Sequence, residues 1–381
     1  MAIRRRSARA ARTGGVLLGF YALAAGAIDA PKPDAVTAPA ASPPAPQAEV
    51  KPTDESAFYE RLQFVQHKRN LTGLNVSTDA IKALSSGAAD VAVATLSSQT
   101  AAGNPNSNIA LVRIQHWCNR ITSSRPTDSK AQLARLAQVL PPERLARAAG
   151  VYAAERSYQE RARQGCAKAK FDYAGIEMRL RDAAEAGDPA SATELAQFVR
   201  DPKQREELLQ HAADKNFAPA MYALATSRLI AVQRGQTTEN VGTIRLLLKQ
   251  AGLTLSRAKV DLANCVALGC DGHPANTATA AAFGTDAARD GEPLAFLSMM
   301  RMPWGSRLTR VELLAWQSYG DRLNEMGCTG EAYVQTSATF TQSLKALERG
   351  QDASVLEQAK AQLETLWQQN GERARKEQGC D

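Results

Sequence analysis

Apolar residues recur along most of this chain at three- and four-residue intervals, the spacing that gathers them on one face of an α-helix. Phe58, Leu62 and Val65 follow Asp54-Glu55, and Ile109, Val112 and Trp117 follow Asn104-Pro105. Helix-starting and helix-ending residues stand between such runs. Ser77-Thr78-Asp79 precede one run that closes at Gly87, and Pro126 and Pro141-Pro142 mark further starts, proline being tolerated in a first helical turn. Arg144–Lys168 predicts a long helix with one solvated face. Glu331–Glu348 and Ala353–Gln378 predict two final helices, the second with an apolar stripe of Leu356, Leu363, Leu366 and Trp367. No stretch alternates β-branched and polar residues as a half-buried strand does. The expected fold class is all-α.

Within this pattern one stretch returns. Ala212–Ala225 reads A-A-D-K-N-F-A-P-A-M-Y-A-L-A: a helix end, a short turn, and a new helix built on small residues. Looser copies lie at Ala183–Ala196, Gln250–Ala263 and Ala287–Met300, in steps of 29, 38 and roughly 37 residues, within the range of helical-pair solenoids. Leu195-Ala196, Leu224-Ala225 and Leu262-Ala263 coincide, and Leu297-Ser298-Met299 follows with its apolar residue slipped by about one position. Small residues are a geometric demand where two helices approach closely. Gly or Asn in the turn accepts the left-handed conformation that ends a helix.

This pattern, A-A-x-x-G/N-x-x-x-A-x-x-x-L-A, resembles the Sel1-like repeat, a relative of the tetratricopeptide repeat, over roughly Met178–Gly327. Three departures stand out: Ser191 replaces the expected Ala, Thr254 replaces the expected Gly, and the first step is short. The resemblance implies a helical-repeat solenoid and a non-catalytic scaffold or adaptor that binds other proteins on a concave surface of inner helices. Tyr222, Arg228 and Trp304 are the candidate partner contacts on that surface. Trp304, in Pro303-Trp304-Gly305, is expected on an exposed loop where the two helices of the fourth unit join.

Charge changes the picture less than its total suggests. The net charge is +7, but Arg4, Arg5, Arg6, Arg9 and Arg12 carry five of those charges, so residues 28–381 hold +7 − 5 = +2. A nearly neutral body gives no reason to expect nucleic acid as a partner. The arginines precede Gly14–Ile28, an apolar run of 15 residues ending near Ala25-Gly26-Ala27. A basic segment, a short apolar core and a small-residue site read as a secretory signal cleaved after Ala27. An uncleaved inner-membrane anchor, and so a membrane tether through the amino terminus alone, is the alternative. Asp29–Thr53 holds seven prolines and reads as a disordered spacer. The expected organisation is signal or anchor 1–27, linker 28–53, an amino-terminal helical domain 54–177, repeats 178–327 and a helical cap 328–381.

Six cysteines, Cys118, Cys166, Cys265, Cys270, Cys328 and Cys380, behind an export signal read as disulfides. Of the pairings available, neighbour-to-neighbour is the simplest. It sets a local condition at Cys265–Cys270. Five residues of continuous helix rise about 7.5 Å, beyond the roughly 6.8 Å that a disulfide spans between Cα atoms. A helix break is therefore required, and Gly269 is the place for it. A metal site from Cys265, Cys270 and His273 is the competing reading, but its spacing matches no common zinc pattern.

Motifs for phosphate cradling, dinucleotide binding, serine hydrolysis and zinc proteolysis are absent from the sequence. The histidines, His67, His116, His211 and His273, lie far apart, and Glu206-Glu207 read as a solvated face. No catalytic residue, metal or cofactor is expected. The competing function is an all-α hydrolase or lyase acting on peptidoglycan, whose carboxylate pair would meet only in the fold. A cleft holding a carboxylate with a raised pKa separates the two readings.

Overall fold

The computed structural model describes residues 52–380, apart from 72, 75, 102, 125–127, 236–240 and 271. The expected signal and nearly all of the proline-rich linker lie outside the described residues, as does Pro126. Seventeen α-helices account for most of what is described, and the described residues contain no strand.

The amino-terminal part is built from α1 (Pro52–Asn70), α2 (Thr78–Ser85), α3 (Ala89–Ala101), α4 (Pro105–Ser123), α5 (Ser129–Leu136) and α6 (Pro142–Lys168). Pro52 and Thr53, counted with the linker from sequence, already belong to α1. Side-chain oxygens of Ser77, Asn104 and Asp128 accept backbone N–H bonds at the starts of α2, α4 and α5, satisfying donors that a helix start otherwise leaves open. Gly87 ends α2 with a left-handed φ of 88°. The run after it, through Ala92, Val93 and Leu96, is a helix of its own, α3, which the sequence pattern did not separate. Leu62, Leu84, Leu96, Ile109 and Tyr158 meet in a shared core, and Cys118–Cys166 ties α4 to α6.

Each sequence copy is the hinge of a helical pair. The pairs are α7 (Tyr173–Glu185) with α8 (Pro189–Leu195), α9 (Pro202–Asp214) with α10 (Ala218–Gln233), α11 (Val241–Ala251) with α12 (Ser256–Leu268), and α13 (Thr277–Arg289) with α14 (Pro293–Arg301). Gly187, Asn216 and Gly291 take φ of 94°, 58° and 75° at equivalent turn positions. In each, two backbone bonds close the helix end; at the first, Gly187 N donates to Ala184 O (2.9 Å) and Asp188 N to Ala183 O (2.8 Å). This is the left-handed cap that glycine and asparagine accommodate. The third copy, with Thr254 at that position, does without it: Leu255 N bonds Ala251 O at 2.9 Å and no residue turns left-handed. Ser191, Ala220, Ala258 and Ala295 all lie buried where facing helices approach, and Leu195, Leu224, Leu262 and Met299 fill the equivalent apolar slot. Met299 thus stands in for leucine without the slip expected in the fourth copy.

The same hinge recurs once more. α15 (Arg310–Glu325) and α16 (Tyr333–Glu348) join through Gly327, φ 85°, with Gly327 N on Asn324 O and Cys328 N on Leu323 O. The small-residue pattern is missing there, so the sequence alone places this pair outside the repeats. α17 (Ala353–Gln378) completes the chain.

Two large cores share these elements. Ile176 and Leu180 of α7 belong to the first and Ala184 of the same helix to the second, so the two meet inside one helix. Tyr333 and Val334 of α16 join the first core, while Phe340, Leu366 and Ala374 join the second. The last helices therefore do more than cover the open end of the repeats. They return to the beginning: Phe58 and Tyr333 pack edge to face at 5.0 Å, and Arg147 Nη1 donates to Glu325 Oε2 at 2.6 Å. At the other end of α1, Gln378 bonds Arg69 through its oxygen while its Nε2 donates to Asp290 O at 2.8 Å. Cys328–Cys380 fixes that tail to the α15–α16 hinge. First helix, last helix and fourth hinge share one joint, so the helices form a closed circuit.

Candidate interaction surface

Of the three residues expected from sequence as partner contacts, Trp304 is buried in the core, while Tyr222 and Arg228 are half-buried and bond to neighbouring helices. Trp304 lies in a 3₁₀ turn, Pro303–Arg307, that leads from α14 to α15 and does not join the two helices of the fourth unit. Its side chain is fully buried, and its indole Nε1 donates to Asn264 Oδ1 at 3.1 Å. A Cβ on Gly284 would sit 2.4 Å from the indole, so only glycine leaves room for the ring. An expected exposed contact is thus a core residue. A large apolar ring after an apolar helix gains more from burial than from solvent, and the short 3₁₀ turn swings it inward.

Tyr222 and Arg228, both on α10, bridge units. The Tyr222 hydroxyl donates to Asp261 Oδ2 of α12 at 2.7 Å. Arg228 donates to Glu206 Oε1 (3.0 Å) and Gln210 Oε1 (2.9 Å) of α9 and to Thr243 Oγ1 (2.9 Å) of α11. It therefore ties the first helices of two successive pairs together.

The cysteines pair in chain order, with Cα–Cα distances of 5.4, 4.9 and 5.1 Å. α12 ends at Leu268, Gly269 turns left-handed with φ 69°, and Cys270 N donates to Cys265 O at 3.1 Å. The short disulfide therefore spans the helix cap at the two positions where an apolar contact usually sits. With their sulfurs bonded to each other, Cys265 and Cys270 have no thiolate for a metal. Among the described residues no cluster of His, Cys, Asp and Glu is arranged to hold a metal ion. Three disulfides are the mark of proteins that fold in an oxidising compartment. Among the described residues no helix is long and apolar enough to cross a membrane.

Two carboxylates have raised pKa values. Burial pushes up the Glu155 carboxyl on α6, and nearby Glu331 adds to the effect; Gln159 Nε2 donates to Glu155 Oε1 at 2.9 Å. Glu331, in the hinge between α15 and α16, is exposed, yet partial loss of hydration against neighbouring protein raises its carboxyl too. Neither residue lines any of the three hollows described below. Of the histidines, His67 is buried, its Nε2 3.0 Å from the Tyr158 hydroxyl.

Among the described residues, three hollows stand out on the surface. The largest, about 400 Å³, is an open valley lined by Lys203, Glu206, Glu207, Gln210, His211 and Asp214 of α9, with Arg228 beneath. Arg228 reaches Thr243 of α11 from this valley, and Leu246 lies one turn further along that helix. Leu246 on α11 and Leu253 in the turn that follows it are 55% and 83% exposed. A charged row on α9 and an exposed leucine on α11 are therefore linked through Arg228. The sequence held a signal for that leucine. Leu246, Leu247 and Leu248 are consecutive, and at 100° per residue a helix cannot turn all three inward. Leu247 and Leu248 are buried and Leu246 is the one left outside. The other two hollows, about 250 and 170 Å³, adjoin where α3, α4 and α7 meet.

No family model matches the chain, and no curated protein matches it. Among solved structures, the chain is similar to a protective antigen of uropathogenic Escherichia coli strains that displays an SLR fold, at 16% identity and a TM-score of 0.43. The match covers 86% of this chain, which spans 65% of that protein's length.

Proposed function

We propose that this protein is a non-catalytic helical-repeat scaffold of the bacterial cell envelope, docking another protein in the valley between α9 and α11. What carries the reading is Leu246, exposed on α11 one turn from Thr243, the residue that Arg228 reaches from the charged row of α9. A protein interface typically has an apolar centre with a polar rim, and an exposed leucine next to a charged row supplies both. The amino-terminal arginines and apolar run support export or tethering, and the disulfides support maturation in an oxidising space. The deciding experiment compares crosslinked partners of the natural protein and of Leu246→Asp/Leu253→Asp in the envelope fraction. Loss of a specific partner with unchanged thermal melting supports the valley. An unchanged set of captured proteins overturns it.

A second reading rests on one observation. Burial raises both Glu155 and Glu331, and Glu331 adds to the effect at Glu155; a carboxyl that holds its proton is the general acid a peptidoglycan hydrolase or lyase needs. Glycan release from purified peptidoglycan that disappears in both Glu155→Gln and Glu331→Gln establishes that reading in place of the scaffold. Absence of release at every pH from 4.5 to 8 removes it.

A further inference from the structure

The two smaller hollows share Thr100 and Arg179, so they form one trough running from Phe171 to Ser191. Its floor is apolar: Leu111 and Ile176 are both buried. Ser97 and Thr100 supply hydroxyls from α3, and Phe171 forms a wall from the segment joining α6 to α7.

The cations in the trough are held differently. Arg179 Nε donates to Asn108 Oδ1 at 3.2 Å, and Asn108, itself buried, donates through Nδ2 to Ile176 O at 3.2 Å. A buried amide anchored to the backbone of α7 thus aims the guanidinium along the trough. Arg179 Nη1 donates to Asp172 Oδ2 at 3.3 Å, while the other oxygen of Asp172 accepts from Gly175 N at the start of α7. Lys170 lines the same hollow and makes no hydrogen bond or ion pair with the described residues. Two cations against one carboxylate leave a single positive charge. That balance suits a monoanion, whereas a dianion would bring its second charge against Asp172. Even joined, hollows of about 250 and 170 Å³ reach only the lower part of the range for ligand pockets, about 300–1,000 Å³, so the ligand is small.

We infer that this trough binds a small carboxylate with a short apolar body, the carboxylate between Lys170 and Arg179 and the body over Leu111 and Ile176. This site lies apart from the α9–α11 valley and does not depend on the scaffold reading. A free acid and the carboxyl end of a peptide present the same chemistry. Isothermal titration with N-acetyl-alanine, N-acetyl-alanine amide, inorganic phosphate and acetyl-trialanine separates them. The acid is expected to bind, the amide and phosphate to bind at least tenfold more weakly, and Lys170→Gln to weaken the acid about tenfold. Lys170 is exposed, so this variant keeps the fold; Arg179→Gln, which also loses the Asn108 contact, is the second variant and is checked by melting. Acetyl-trialanine binding at least tenfold tighter than N-acetyl-alanine identifies a peptide end, and equal or weaker binding identifies a free acid; either supports the site. Acid and amide binding alike, no binding of the acid or the tripeptide, phosphate binding tighter than the acid, or Lys170→Gln without effect overturns it.

Discussion

Arg144 grips Asp321 through both carboxylate oxygens, Nη1 to Oδ1 at 2.9 Å and Nη2 to Oδ2 at 2.7 Å, across 177 residues of chain. The pair joins α6 to α15 and so closes the helical circuit between its two ends. Both side chains are largely buried, where removing one partner strands the other charge. Asp321→Leu is expected to lower stability by about 3 kcal/mol and Arg144→Leu by a similar amount, while the two together lose less than the sum of the single changes. Urea unfolding of the four proteins measures this, and strict additivity would show that the pair does not act as a unit.

His67 gives the fold a pH limit. Burial, with a smaller effect from Arg120, lowers its pKa to about 3. The Tyr158 hydroxyl donates to Leu84 O and so accepts from His67 Nε2–H, a bond that the neutral and the protonated ring can both make, so it is burial that disfavours the charged ring. A depressed histidine pKa favours the folded state above the unfolded value of about 6.5. That contribution is lost by about 1.4 kcal/mol per unit as pH falls from 6.5 towards 3. Urea midpoints between pH 7.5 and 4.5 should fall accordingly, and His67→Phe should flatten that slope. A slope unchanged in the variant would place the acid sensitivity elsewhere.

Trp304 and Gly284 form a matched pair of large and small. Trp304→Ala is expected to lose about 3–5 kcal/mol through the cavity it leaves. Gly284→Ala should lose about 1–3 kcal/mol by pressing a methyl into the indole. Trp304→Phe leaves Asn264 Oδ1 without its donor, a loss of about 1–3 kcal/mol. Thermal melting distinguishes these; a neutral Gly284→Ala would mean the 3₁₀ turn yields easily.

The disulfides should differ by loop length. Removing Cys328 and Cys380 together frees a loop of 52 residues and is expected to lose about 4 kcal/mol. Removing Cys265 and Cys270, five apart, should lose about 2 kcal/mol. Equal losses in denaturant unfolding would indicate that local cap geometry outweighs chain entropy.

Asn216 is the one described non-glycine residue with a positive φ, 58°. Asn216→Ala should therefore lose about 1 kcal/mol while Asn216→Gly stays close to neutral. Melting of both variants checks this, and equal effects would show that the hinge does not depend on the left-handed turn.

Much of the helical pairing was legible because its causes are local. Asn216 and Gly291 announce left-handed caps, Ala220 and Ala258 announce close approach, and Gly269 announces the break that lets Cys265 reach Cys270. The hinge at Gly327 was hidden because its neighbours Asn324 and Leu323 lack the small-residue pattern, although the backbone turn is the same. Trp304 was misplaced because an aromatic beside Pro and Gly looks like a loop tip, and only the shape of Gly284 opposite shows that there is room inside.

The sequence by itself determined the helices, their caps, the hinge of each repeat and the cysteines available for pairing, since each depends on residues within a turn or two. Only the tertiary structure decided that Arg144 meets Asp321, that Gln378 joins Arg69 to Asp290, and which leucine of Leu246, Leu247 and Leu248 stays in solvent. Those outcomes depend on how successive pairs stack. Small angles between pairs accumulate along the chain, and no local pattern of residues records where the last helix returns to the first.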